Sequence, residues 1–489
     1  MLRLTLPHAA RFRGLAVALA VAGAGLAAGC ASNPVSGQRE VSLISEAEEI
    51  EIGRRGDVEI RREMGVYRDE DLQRYVTGIG ERIASVSHRP RLPWTFAVLD
   101  SPAVNAFALP GGFVYVTRGL LAHVGDEAEL AGVLGHEVGH VAARHVSQQY
   151  TRSAGTSLAV LLVSIFVPSV QPFGDLANAG LSTAFLKFNR DDELESDRLG
   201  IEYASKAGWD PAGVPRFLET LSRLDAMSER GIPNWLSTHP DPGSRVVKAQ
   251  PIAERTVEGQ AERHLEEYLR RVDGMTYGDD PSEGVVRGHR FLHPDLRLAI
   301  DFPEGWEVFN STDQVIARLD DEKALMVMQA ADTARNASLT DGATRHMKSL
   351  GFKLESGTIE PMGGRDAFVG VYTGKAKGVG EVRVRAAHLA LGSQVYMLAG
   401  VAPAADFARV EGAFSTALAS FRELSASEAG AIRPNRIGPY VARLGDSWQS
   451  IAQRASGGLV SARRLALMNG FAVNVQPPAG RLLKIVVEG

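Results

Sequence analysis

Cysteine is nearly absent from this chain of 489 residues: there is one, Cys30, so no disulfide can form within it and a disulfide-stapled scaffold is excluded. A dominant charge of one sign is missing too. With 53 basic and 58 acidic residues and a formal net charge of -5, the chain lacks the broad basic field that neutralises phosphate backbones, so no nucleic acid partner is expected. Apolar runs are short: Leu15 to Leu26, and Leu158 to Val167 before Pro168, fall below the roughly 20 residues a membrane-spanning helix needs. The second run reads as a buried helix or flap over an active site, or as a segment dipping into a membrane interface.

What is present begins with an export signal over residues 1–29, in which Arg3, Arg11 and Arg13 precede the first apolar run. It ends in Leu26-Ala27-Ala28-Gly29-Cys30, which resembles the lipobox of bacterial lipoproteins, with Ala27 where Leu is commoner. That resemblance implies a lipid on Cys30 and attachment to a membrane. Ala31 and Ser32 follow, without the Asp that resembles an inner-membrane retention signal, so the periplasmic face of the outer membrane is favoured.

The length suggests about two to four domains. Ser45 and Glu48 read as a capping box opening a helix, and Asp69 to Ala84 as a second helix. Trp94 to Leu99 reads as a strand and Ala106 to Val116 as another, interrupted by glycine. Helices dominate from there to about residue 270. Asp273 to Glu283 is rich in Gly, Asp and Pro and reads as a linker. Beyond it, strand-like runs flank helical stretches near Ala343 and Ala405, giving an α+β domain over 285–425. His388, within one of these strands, has no ligand-spaced partner in the sequence and reads as a structural or surface residue.

His136-Glu137-Val138-Gly139-His140 lies in an apolar-periodic stretch, Asp126 to Val146, that reads as one helix. Side chains at i and i+4 share a helix face, so both imidazoles can reach one metal ion while Glu137 holds the water it acidifies. A catalytic zinc needs a third protein ligand. His145, nine residues past His136, falls on the opposite helix face, and Ala143 stands where a metzincin would have its turning glycine; His145 reads as second-face structure or surface. Glu193 and Asp197, again four apart on an expected helix, are the better candidates. Glu193 would bind the metal; Asp197 would accept a hydrogen bond from a ligand histidine or interact with substrate, and Glu195 points elsewhere.

HEVGH followed some fifty residues later by ELESD resembles the membrane-associated gluzincin metallopeptidases, the group that includes HtpX, the CAAX prenyl proteases and BepA. Further matches are Asn33-Pro34-Val35, Asn105-Ala106-Phe107-Ala108 with Gly111-Gly112, and Ser237-Thr238-His239-Pro240 with Arg245. The resemblance spans roughly residues 33 to 255. It implies a zinc endopeptidase in which His239 is a switchable metal contact or a stabiliser of the oxyanion, assisted by Arg245. It also implies that Val104 to Val116 is an edge strand along which a polypeptide substrate is laid.

After Pro434, Tyr440-Val441, Gly445-Asp446-Ser447, Asn469-Gly470 and Leu483-Lys484-Ile485 resemble a LysM module, a small βααβ domain whose family binds peptidoglycan-type glycans. The expected architecture is therefore multidomain. A signal over 1–29 precedes a mainly α zincin-type metallopeptidase domain with a small β-sheet over 30–272. The α+β domain over 285–425 and the LysM-like domain over 435–489 follow. The function this implies is proteolytic quality control of misfolded or stalled envelope proteins. A peptidoglycan-associated peptidase and a non-catalytic glycan-binding scaffold remain open.

Overall fold

The computed structural model describes residues 30–41, 44–152, 188–227, 235, 238–256, 261–310, 314–318, 324–333, 338–376 and 379–489. The export signal over 1–29, the apolar run 158–167 and Ser237 lie outside the described residues.

Strands β1 (Cys30–Ser32) and β2 (Arg39–Val41) form an antiparallel pair. Helix α1 (Glu46–Met64) opens on the expected capping box of Ser45 and Glu48, and α2 (Glu70–Ser85) on the side chain of Asp69, each satisfying backbone N–H groups with no partner inside the helix. The small sheet contains β3 (Thr95–Leu99), β4 (Ala106–Leu109) and β5 (Phe113–Thr117) in the order β3-β5-β4, with β5 parallel to β3 and antiparallel to β4. The segment expected as one strand is thus a hairpin. Gly111 and Gly112 have φ of 81° and 103°, which side-chain-bearing residues rarely adopt, and the chain reverses there. A Cβ on Gly111 would also lie 2.5 Å from Ile50 Cα, because α1 packs directly on this turn.

Helices α3 (Arg118–His123), α4 (Glu127–Ala142), α5 (His145–Arg152), α6 (Arg190–Lys206), α7 (Gly213–Asp225), α8 (Pro242–Thr256) and α9 (Leu265–Val272) follow, then the two-residue strand β6 (Thr276–Tyr277). Helix α4 is buried along its whole length, including its polar residues Glu127, Glu129, His136, Glu137 and His140. It does not run on to Val146. Arg144 takes a left-handed φ of 63°, held by contacts to Glu49 and to the Ile44 carbonyl (2.8 Å), and α5 starts afresh at His145. Helix α6 begins where the Asn189 side chain accepts from the Asp191 and Asp192 N–H groups, both at 2.9 Å.

The next domain is α+β. A four-stranded sheet, β17-β9-β8-β7, holds β7 (Val285–Arg287), β8 (Arg290–His293), β9 (Leu298–Asp301) and β17 (Arg422–Glu423). A seven-stranded sheet contains β10 (Glu307–Asn310), β11 (Gln314–Arg318), β12 (Leu325–Ala331), β13 (Lys353–Met362), β14 (Arg365–Ala376), β15 (Gly380–Leu391) and β16 (Gln394–Pro403). Its order is β10-β11-β12-β16-β15-β14-β13. Helices α10 (Leu339–Ser349) and α11 (Phe407–Ala419) cover its two faces, since Met347 packs into one apolar cluster and Phe407 and Phe414 into the other. His388 has a partner the sequence did not suggest: buried on β15, its Nε2 lies 3.0 Å from His346 Nδ1 on α10.

Helix α12 (Ala426–Gly430) leads to β18 (Asn435–Val441), α13 (Trp448–Arg454), α14 (Ala462–Met468) and β19 (Leu482–Glu488). Strand β18 pairs antiparallel with β19 on one side and with β6 on the other. The stretch read as a linker therefore contains a paired strand and the buried Met275 and Thr276. Trp448, Ile451, Leu465 and Leu483 belong to the same apolar cluster as the α4 core residues Leu134 and Val138. The C-terminal module thus folds back onto the first domain, with the α+β domain as an excursion between them.

Candidate metal centre

Two helices cross at glycines. A Cβ on Gly200 of α6 would lie 2.9 Å from the His136 N and 3.2 Å from the Gly132 carbonyl oxygen, and one on Gly135 would lie 3.0 Å from Gly200 Cα. The backbones of α4 and α6 approach so closely only because these positions lack side chains. One turn of α4 then presents His136 and His140, and α6 presents Glu193 to meet them.

The convergence is tight. His136 Nε2 lies 3.0 Å from His140 Nε2 and 3.3 Å from His239 Nδ1, and Glu193 Oε1 is 3.4 Å from His140 Nε2 and 2.9 Å from His239 Nδ1. One donor atom from each of the four residues falls within 4.8 Å of every other, and all four residues are buried. Four ligands at about 2.0–2.1 Å from a tetrahedral ion stand about 3.3–3.4 Å apart, close to most of these separations. Two facing imidazole nitrogens can share only one proton, and three rings and a carboxylate converging on one point present more lone pairs than protons between them can satisfy, which a cation would meet. Burial drives the His140 imidazole well below its ordinary pKa, more than Glu193 can restore, so its lone pair is free to ligate. The residues present fit a single zinc ion.

A layer of charge stands behind the donors. His136 Nδ1 lies 3.0 Å from Asp197 Oδ1, at a slant to the hydrogen-bond direction. Asp197 is gripped by Arg245, whose Nε and Nη2 donate to its two oxygens at 2.8 and 2.6 Å, while Nη1 contacts Glu193. Burial raises both carboxyls, but Arg245 and the histidines outweigh it and hold Glu193 well below, and Asp197 below, the ordinary carboxylate range. Glu137 differs: burial raises its pKa against the pull of His239 and His136, giving it the proton affinity a base needs. Its Oε1 is 3.7 Å from His239 Nε2.

The structure therefore brings His136, Glu137, His140, Glu193, Asp197, His239 and Arg245 to one place. Arg245 reaches it through the carboxylates, with its guanidinium turned to Asp197 and Glu193. His145 stands apart from its expected position. Because the chain breaks at Arg144, its ring folds back, buried, with Nδ1 3.2 Å from His140 Nδ1 and Nε2 3.2 Å from Glu195 Oε2. It orients a ligand and leaves the metal group to the other four residues. Cys30 lies at the start of β1, paired with Val41.

Two aromatic residues went unnoticed in the sequence. Trp235 stacks on His239 with centroids 4.5 Å apart and planes at 18°, and Phe188 stacks on His140 at 4.0 Å. Trp235 also donates its backbone N–H to the Val104 carbonyl (3.3 Å), tying the His239 segment to the residues just before β4. A tryptophan four residues before the candidate histidine was the available signal.

The sequence profile of Peptidase family M48 matches residues 70–253, a span containing every donor, Asp197 and Arg245, and ending before the α+β domain. Mitochondrial metalloendopeptidase OMA1 of Arabidopsis thaliana is 36% identical over 188 residues, covering 38% of this chain and 36% of that protein. The beta-barrel assembly-enhancing protease of Escherichia coli (strain K12) is 31% identical over 225 residues, covering 44% of this chain and 46% of that one. The mitochondrial metalloendopeptidase OMA1 of Danio rerio is 32% identical over 232 residues, covering 46% and 48%. The chain thus spans less than half the length of these curated relatives.

Proposed function

From the match of residues 70–253 to Peptidase family M48, we propose a zinc-dependent endopeptidase of the bacterial cell envelope that cleaves misfolded or stalled envelope proteins. The observation that carries this reading is the meeting of two helix-borne imidazoles, a carboxylate from a second helix and a buried glutamate of raised proton affinity. His136, His140 and Glu193 would hold the zinc, which would supply the Lewis acidity that makes a water nucleophilic near neutral pH. Glu137 takes the proton from the attacking water and delivers it to the departing amide nitrogen as the carbonyl carbon gains oxygen and the C–N bond breaks. Asp197 fixes the His136 ring, and Arg245 keeps Asp197 and Glu193 ionised.

His239 would serve in one of two ways. With Nδ1 among the four donors it would be a fourth ligand to the ion and leave no position for substrate. Swung aside, it offers an N–H to the oxyanion of the tetrahedral intermediate.

Substrate would add as a strand to β4, the edge of its sheet. Asn105, immediately before β4, is fully buried, and both amide atoms lack a hydrogen-bond partner among the described residues, so a peptide strand that displaced what covers them would find a donor and an acceptor. Lipidation of Cys30 would fix the enzyme to the membrane. Asn33, three residues later, donates to the Ala143 carbonyl (3.1 Å) at the end of the metal helix, so the anchor would hold the active site near the lipid surface.

A second reading, a peptidoglycan-associated peptidase, is favoured by the strand-helix-helix-strand order of the C-terminal module, which matches the LysM pattern. The test compares casein with purified muropeptides as substrates, for the parent chain and for Glu137→Gln. Retention of about one zinc per chain with casein cleavage reduced about 10²–10⁴-fold in the variant is expected. Zinc lost together with activity would remove Glu137 from the chemistry, cleavage of muropeptides alone would favour the second reading, and cleavage of neither would leave a non-catalytic scaffold.

A further inference from the structure

A cavity of about 420 Å³ lies where the C-terminal module meets the peptidase domain, well within the range of about 300–1,000 Å³ that small-ligand sites occupy. Gly125 and Glu129 at the start of α4 form one wall, and Arg216 of α7 another. The opposite side belongs to the segment between α14 and β19, including Phe471, Pro478 and Arg481. Leu265 and Leu269 of α9, with Leu482, supply an apolar surface.

One cation of this cavity has no ion pair among the described residues. Arg216 is engaged by Asp210 (2.5 Å), Asp126 (3.2 Å) and Glu129 (3.4 Å), and Arg263 by Asp126, to which its Nε donates at 2.7 Å. Glu129 accepts from the Gly125 N–H at 2.7 Å, and Glu219 is held by Arg223. Each carboxylate therefore has its cation. Arg481 has no carboxylate within ion-pair distance among the described residues, and burial and the like charge of Arg263 push its pKa below the ordinary arginine value against the weaker pull of Asp126. A guanidinium half-removed from water beside a second one, over leucine and phenylalanine, is unfavourable until an anion joins it.

We propose that this cavity binds a carboxylate carried on an apolar body, with the carboxylate forked on Arg481 and the apolar part against Leu265, Leu269 and Phe471. The planar fork of arginine matches a carboxylate through two parallel hydrogen bonds, and the apolar surface selects against a bare inorganic anion. That chemistry is shared by the free C-terminus of a polypeptide ending in an apolar residue and by a small aliphatic acid. Because the walls come from both domains, a ligand here would hold the C-terminal module onto the peptidase domain.

The test is calorimetric titration of the full chain carrying Glu137→Gln, so that no peptide is consumed. The probes are acetyl-Gly-Ser-Gly-Leu-Leu as the free acid, the same peptide as its C-terminal amide, and octanoate. Binding of the free acid at least about tenfold tighter than the amide is expected, as loss of a charge-assisted hydrogen bond implies. Arg481→Gln should abolish that difference and raise the unfolding midpoint of the ligand-free protein, since the unpaired charge is gone. Octanoate binding as tightly as the acid peptide would assign the site to small acids, and weaker binding to chain termini. Equal affinity for acid and amide in the parent, or an unaltered preference in Arg481→Gln, would overturn the proposal.

Discussion

Asp197 joins metal binding to electrostatics in one carboxylate, with His136 Nδ1 at 3.0 Å and the Arg245 fork on its other side. Asp197→Asn keeps the shape and removes the charge that orients the ring, so zinc affinity should fall about 10–100-fold, read by competition with a chromophoric chelator. Unchanged affinity would mean that His136 is oriented by the protein core alone. Arg245→Met goes further by leaving two buried carboxylates without their cation; a loss of about 3–5 kcal/mol in urea unfolding of the metal-free protein is expected. Both carboxyls are held below their ordinary values, so the stability they contribute is full above about pH 4 and lost as pH falls through their folded values. In Arg245→Met burial is no longer outweighed and the folded values rise, so that acid loss should shrink or reverse. At this scale the sequence was informative where chemistry has a fixed spacing: His136, Glu137 and His140, and Glu193 with Asp197, announce themselves by sharing helix faces. It was uninformative about His145, because its position follows from one left-handed residue, Arg144, which no helical periodicity reveals.

The helices reach the metal centre by virtue of what α4 and α6 lack. Gly200→Ala places a methyl group 2.9 Å from the His136 nitrogen, a backbone atom that cannot rotate away, so the helices must separate. The alanine gains about 1 kcal/mol of helix propensity, but overpacking against backbone typically loses about 1–3 kcal/mol, so net destabilisation with weaker zinc binding is expected. Gly78→Ala in α2 is the matched control: nothing lies within 4 Å of the added Cβ, and only the propensity gain should remain. Thermal unfolding of both variants separates the effects, and stabilisation by Gly200→Ala would mean the helix crossing is looser than the structure places it. Elements with strong local signals, such as the capped α1 and α2 and the long strands β14 to β16, were legible in sequence. The hairpin of β4 and β5 was read as one strand, since a continuous apolar run conceals a reversal that only the positive φ of Gly111 and Gly112 permits.

Over the whole molecule, what the sequence could not convey is that its last fifty residues return to the first domain, because docking surfaces have no period. Lys484 on β19 marks the junction: its ammonium is buried and donates to the Ala122 carbonyl at 2.8 Å and to that of Val124, at the end of α3. Burial lowers its pKa from 10.5 to about 7 despite the nearby Glu129 and Asp126. Below about pH 7 the lysine is charged in both the folded and unfolded chain, and folding carries the full penalty of burying that charge. Between about 7 and 10.5 the unfolded chain holds a proton the folded one has released, so stability should climb with pH, by up to about 1.4 kcal/mol per unit from this group. Glu129 acts oppositely and lower: raised from 4.5 to about 7, chiefly by burial and then by Asp126, it makes stability fall as pH rises across that interval. Lys484→Met should therefore flatten the limb above pH 7 and spare the one below it, in urea midpoints measured from pH 5 to 10. If the parent and Lys484→Met chains gave the same slope above pH 7, the lysine would be hydrated and the C-terminal module would not be seated on α3.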